Sequence, residues 1–122
     1  MKKGNILQIK TYAFAIRIVK AYKYLVEEKK EYILSKQFLR SGTSIGANTE
    51  EAIGGQSEKD FYAKLNIVYK EARETHYWIR LLKDTDFFDE PQALSLLADC
   101  EEILKIVGSS IKTIKEKLNP NS

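Results

Sequence analysis

The chain is poor in the residues that usually carry chemistry, with one cysteine, one histidine, one tryptophan and two prolines in 122 residues. Cys100 alone cannot close an internal disulfide. It falls in register with leucines and isoleucines on either side, which reads as a buried thiol of a cytoplasmic protein rather than a nucleophile. Structural zinc sites need about four Cys or His ligands, and this chain has one of each. A di-iron or di-manganese bundle needs Glu-x-x-His on two helices so that both ligands reach one metal, but His76 has Arg73 where the glutamate should stand. No metal and no other cofactor is expected.

Long hydrophobic runs are also missing, since no apolar stretch approaches the roughly 20 residues needed to span a bilayer. The N-terminus has the basic start of a secretion signal, yet Lys10, Arg17 and Lys20 interrupt what would have to be a continuous apolar segment. It reads as the first structural helix, and no membrane contact is expected.

A nucleophile with its base is absent too. Ser41 and Ser44 have no histidine on their own helix, and the chain holds neither a Gly-x-Ser-x-Gly elbow nor a phosphate-binding glycine loop. Some helical ribonucleases pair an Arg with a His more than one turn further along a helix, and Arg73 and His76 are too close for that pattern. An enzyme is not expected.

What is present is helical periodicity. A composition 43% hydrophobic and 30% charged suits one soluble domain with a core of its own. From Ile6 to Val26, Ile9, Tyr12, Ala13, Ile16 and Val19 recur at three and four, while Leu7, Phe14, Ile18, Tyr22 and Leu25 line a second flank. This helix is expected over 6–28 and buried on more than one side. The run Glu27 to Glu31 breaks the period and sets the first turn, and a second helix follows over 33–53. Gly54 and Gly55 suit a left-handed helix end, and Ser57 caps the next helix with Asp60 three residues on. Phe61, Leu65, Val68, Ala72, Thr75, Ile79 and Leu82 hold a third helix over 57–84. After Asp89 as N-cap and Pro91 in the first turn, Ala93, Leu97, Cys100, Leu104, Val107, Ile111, Ile114 and Leu118 carry a fourth over 89–118. With no internal repeat and no strand-like alternation, the fold class is all-α, a single antiparallel up-down four-helix bundle.

The second helix carries weak helix formers at its centre: Ser41, Gly42, Thr43, Ser44 and Gly46. On a helix, Gln37, Ser41, Ser44, Asn48 and Glu51 form a polar line beside a small apolar line of Phe38, Gly42, Ile45, Thr49 and Ala52. Close approach of a neighbouring backbone would offset the glycines, so tight packing is the plainer expectation and ligand binding the other. If the second and third helices fold back at Gly54 to Ser57, Arg40 lies level with Glu71 and Gln37 level with Glu74. An inter-helix ion-pair or hydrogen-bond network is expected there, fixing helix register more than adding stability.

The net charge of +3 is unevenly spread: residues 1–30 hold eight Lys or Arg against two acids, residues 31–104 eight against fourteen, and residues 105–122 four against one. In an up-down bundle the chain ends meet, which groups Lys2, Lys3 and Lys10 with Lys112, Lys115 and Lys117 as a candidate surface for RNA or DNA phosphates. The same late lysines also complement a helix dipole. Tyr12, Tyr22, Tyr62, Tyr69, Tyr77 and Trp78 exceed what one bundle seam buries, and such a surplus favours a subunit or protein-partner interface over a cofactor box.

The run LRSGTSIGANTEEA at Leu39 to Ala52, SEKDF at Ser57 to Phe61 and KEARETHYWIRLL at Lys70 to Leu82 resemble the bacterial 23S rRNA intervening-sequence proteins, over about Tyr12 to Leu118. The resemblance implies a cytoplasmic four-helix bundle without established enzymatic activity, assembled as a ring-shaped homo-oligomer, usually a pentamer. The chain is also similar to the accessory protein of diversity-generating retroelements, which binds nucleic acid and a reverse transcriptase. The family motif maps onto Arg40, Ser41, Ser44, Ile45, Asn48 and Glu51 in the second helix and onto Glu71, Glu74 and Trp78 in the third. Many members have proline where this chain has Gly46 and glycine where it has Ala52. Two functions follow as expectations: a non-catalytic oligomeric bundle that binds RNA or DNA through a basic surface, or a protein-interaction adaptor without a nucleic-acid role.

Overall fold

The computed structural model describes the backbone of residues 2–119 and the side chains of residues 6–119. The helices are α1 (Lys2–Glu27), α2 (Leu34–Ile53), α3 (Glu58–Asp84) and α4 (Glu90–Leu118). No strand occurs among the described residues. Each helix packs broadly on the next in chain order, and the α1–α4 seam that closes the square is the thinnest. The result is an all-α four-helix bundle.

Its core is a stack of side chains drawn from every helix. Phe14, Ile18 and Leu25 of α1 meet Phe38 and Ile45 of α2, Leu65, Val68, Ile79 and Leu82 of α3, and Leu96, Cys100, Ile103 and Val107 of α4, all essentially without exposure. Each such side chain contributes about 1.5–3 kcal/mol through removal from water. Phe88, from the loop between α3 and α4, closes one end by an edge-on contact with Phe38 at 5.5 Å between ring centroids.

Local chemistry sets the helix starts. Ser57 Oγ accepts from the Asp60 amide at 3.1 Å, and Asp89 Oδ1 accepts from the Gln92 amide at 2.8 Å with Pro91 in the first turn. The start of α2 uses a device the sequence pattern did not flag. The Glu31 carboxylate receives the amides of Ile33, Leu34 and Ser35 at 3.2, 3.0 and 2.6 Å, satisfying orphan donors that a side chain at the usual cap position would otherwise take. Burial pushes the Glu31 pKa up, but these backbone donors outweigh it and hold the group below its ordinary value.

Two expectations need correction. Gly54 and Gly55 do not take left-handed conformations; the described residues with positive φ are Lys30, at 56°, and Asp86, at 68°. The chain leaves α2 by continuing right-handed, with the Gly54 amide on Glu50 O and the Gly55 amide on Ala52 O. Glycine matters at 55 for room, because a Cβ there would sit 3.1 Å from the Ala52 carbonyl oxygen and 3.3 Å from the Asp60 side chain. The second correction concerns α1. Leu7, Thr11, Phe14, Ile18, Ala21 and Leu25 face the core, whereas Ile9, Tyr12, Ile16 and Val19 face solvent. With α1 packed on α2 and only lightly on α4, no helix remains to cover its second apolar line.

Candidate functional site

The centre of α2 is where its neighbours come closest. A Cβ on Gly42 would lie 2.7 Å from two carbons of Ile18, and one on Gly46 would lie 3.3 Å from the Thr11 carbonyl oxygen. Both glycines therefore let α1 lie against α2. Their helix-propensity cost, about 1 kcal/mol each, is offset by this contact, which is the packing explanation of the small-residue stretch.

On the α3 side the polar line of α2 builds a network. Arg40 reaches Glu71 at 3.4 Å and also pairs with Glu74, while its Nε donates to Gln37 Oε1 at 3.4 Å. The Trp78 indole donates to Glu74 at 3.0 Å. The Trp78 hydrogen bond, followed by Arg40 and against the effect of burial, holds the Glu74 carboxyl below its ordinary pKa, and the bond to Glu74 raises that of Arg40. Beneath this, the buried hydroxyls of Ser41 and Thr75 meet at 2.9 Å.

The remaining motif residues do not join. Ser44 Oγ donates to Ser41 O at 2.9 Å and Asn48 Nδ2 donates to Ser44 O at 2.8 Å, both within α2. Glu51 pairs with Lys64 at 2.6 Å, one helix turn from the α2–α3 connection. No buried side-chain polar atom lacks a partner among the described residues. Carboxylates bound by a guanidinium and an indole in this way hold α2 and α3 in register.

The predicted basic end is divided. Lys10 pairs with Glu102 at 3.0 Å and Lys117 with Glu58 at 3.2 Å. Lys112 and Lys115 are exposed and unpaired among the described residues, and the side chains of Lys2 and Lys3 lie outside the described residues. Sequence reasoning also missed Arg17, which bonds Asp99 at 2.6 Å and Ser95 Oγ at 2.9 Å. Together with Lys10–Glu102 it pins the thin α1–α4 seam. The signal available was the antiparallel pairing of α1 with α4, which the sequence reading used to group the lysines of the chain ends but not to set Arg17 level with Ser95 and Asp99.

The outward line of α1 is apolar and exposed. Ile9 is 69% and Tyr12 66% exposed, with Ile6, Ile16 and Val19 on the same side. Beside it an apolar depression of about 420 Å³ opens between α1 and α4, lined by Ile6, Lys105, Ile106, Ser109 and Ser110. Cys100 offers no reactivity: it is buried, its Sγ lies 3.2 Å from Ala72 O, and burial pushes its pKa up to about 12. Among the described residues no group of three or more His, Cys, Asp or Glu is placed to hold a metal ion, and no helix is long and apolar enough to cross a membrane.

The family described as 23S rRNA-intervening sequence protein matches residues 4–109. A crystal structure of a protein of unknown function from the S23 ribosomal protein family of Bacteroides thetaiotaomicron is similar at 52% identity. The match covers 90% of this chain and 98% of that one, with a TM-score of 0.88. No curated protein matches the chain. A match over this much of the chain, on the fold just described, places it: the chain belongs to the 23S rRNA-intervening sequence protein family.

Proposed function

We propose that this protein works by binding rather than catalysis: copies assemble through the outward face of α1, and the assembled bundle holds RNA or DNA on a basic surface. The observation that carries this reading is the solvent-facing line of Ile6, Ile9, Tyr12, Ile16 and Val19. A contiguous apolar line of this kind, rimmed by charged residues, is typical of a protein contact surface. Five copies in a ring is the assembly that the family resemblance implies.

The nucleic-acid half is supported by Lys112 and Lys115, exposed and unpaired on the last turns of α4, and by the name of the family. With Lys10 and Lys117 engaged by carboxylates, Lys112 and Lys115 are the cations of this end left without a paired acid among the described residues. Assembly repeats them around the ring and raises their joint affinity. Light scattering together with the absorbance ratio of the purified protein tests both halves: a multiple of the 14.0 kDa chain mass that retains nucleic acid supports the proposal, and a bare monomer contradicts it.

A second reading, an adaptor that docks a protein partner without any nucleic acid, is favoured by the exposure of Tyr12 and Tyr77. Partner capture that is indifferent to salt, with no RNA retained, would select it.

A further inference from the structure

Between α3 and α4 lies a depression of about 310 Å³ lined by Tyr69, Arg73, His76, Arg80 and Leu104. We propose that it is a phosphate-binding groove, taking a nucleotide or the phosphodiester of a single strand. The strand form rests on the nucleic-acid reading above; the nucleotide form stands without it, and neither involves the basic end.

Arg73, His76 and Arg80 follow the spacing of three and four that sets residues on one face of a helix. Arg80 is held in place without any acid. Its Nε donates to His76 Nδ1 at 3.1 Å, and its guanidinium carbon lies 5.9 Å from the Tyr77 ring centroid. Because Nδ1 accepts, the proton of the neutral imidazole sits on Nε2, which donates to Glu101 Oε2 at 2.8 Å. A carboxylate thus orients an imidazole and the imidazole orients a guanidinium, much as outer-shell carboxylates orient ligating histidines.

The terminal N–H groups of Arg80 have no hydrogen-bond or ion-pair partner among the described residues, and neither has Arg73. The two residues are two turns apart, roughly 10 Å along α3. Their planar forks match phosphate oxygens, and a pre-oriented fork loses little freedom on binding. Tyr69 adds a half-buried ring whose edge lies beside Gly108. Aromatic faces among arginines are the elements with which proteins hold nucleotides and single strands. Glu101 is the opposing charge at the rim, and it is engaged by His76.

The test is calorimetric titration of adenosine monophosphate and of inorganic phosphate, with anisotropy of a labelled single-stranded oligonucleotide, against folded variants checked by circular dichroism. The groove predicts that Arg73→Gln with Arg80→Gln weakens adenosine monophosphate binding tenfold or more. Glu101→Gln should tighten it several-fold, and Lys112→Gln with Lys115→Gln should leave it unchanged. If the double arginine variant does not fold, Arg73→Gln alone carries the test, because Arg73 is exposed. Undiminished binding without the arginines, or no binding of any probe by the wild type, overturns the proposal. Phosphate binding as tight as the nucleotide overturns the nucleotide assignment. Arginine-dependent nucleotide binding with no oligonucleotide binding keeps the groove and removes the nucleic-acid reading, while oligonucleotide binding indifferent to both arginines does the reverse.

Discussion

Gly42 and Ile18 meet so closely that a methyl group added to the glycine would lie 2.7 Å from the isoleucine carbons. Ile18 is wholly buried, so it has nowhere to retreat. Gly42→Ala should therefore destabilise the bundle by about 1–3 kcal/mol, the usual cost of overpacking a core, despite its better helix propensity. Gly46→Ala should stay within about 1 kcal/mol of wild type, because a shift of a few tenths of an ångström at Thr11 is set against the propensity gain. Urea denaturation of the two variants checks the contrast.

Arg40 faces Glu71, which is only 8% exposed. Removing the arginine leaves that carboxylate without its cation, so Arg40→Ala should cost about 1–3 kcal/mol. The double variant Arg40→Ala with Glu71→Gln should recover part of the loss. Thermal melts of the four members of this cycle check it, and strictly additive losses would show that the pair is not coupled.

Acid should act through Glu31 and Glu74, whose folded pKa values both lie below the ordinary 4.5. Carboxylates depressed in this way stabilise the fold above 4.5, and that stabilisation is lost as the pH falls through their folded values. Glu31→Gln should be less stable than wild type at neutral pH and lose less on acidification. Melting temperatures from pH 7 downward, for wild type and variant, check the sign.

The outward face of α1 gives a prediction about assembly. Ile9→Glu with Tyr12→Glu should lower the assembled mass seen by light scattering while leaving the helical signal and the melting of the single bundle intact. Both side chains face solvent and contribute little to the core. Raised salt should not dissociate the wild-type assembly, since apolar burial is not screened as charge is.

Much of this was legible in the chain. The core lines of α2 and α3, the caps at Ser57 and Asp89, and the pairing of Arg40 with Glu71 follow from helical spacing and one reliable turn; Glu74, expected level with Gln37, is instead reached by Arg40, which Gln37 supports. The unread parts share a cause. α1 carries two apolar lines, and periodicity cannot say which of them a neighbour covers; Leu7, Phe14 and Ile18 are inside only because α2 lies there. Gly54 and Gly55 are turn residues in sequence, but the structure uses the second for space rather than handedness. Glu31 caps α2 from before the helix, where no standard cap pattern looks. Lys10 and Lys117 read as free cations because their partners, Glu102 and Glu58, are distant in sequence.

The central claim is that the assembled bundle binds nucleic acid through charge. The most direct measurement is fluorescence anisotropy of a labelled structured RNA with nuclease-treated protein, titrated from about 50 to 200 mM salt. The account predicts binding at low salt that weakens about tenfold or more across that range as counterions return to the phosphates, with a shallower slope for Lys112→Glu and Lys115→Glu. Absence of binding at the lowest salt would contradict it, and would leave the apolar face of α1 as the working surface of the protein.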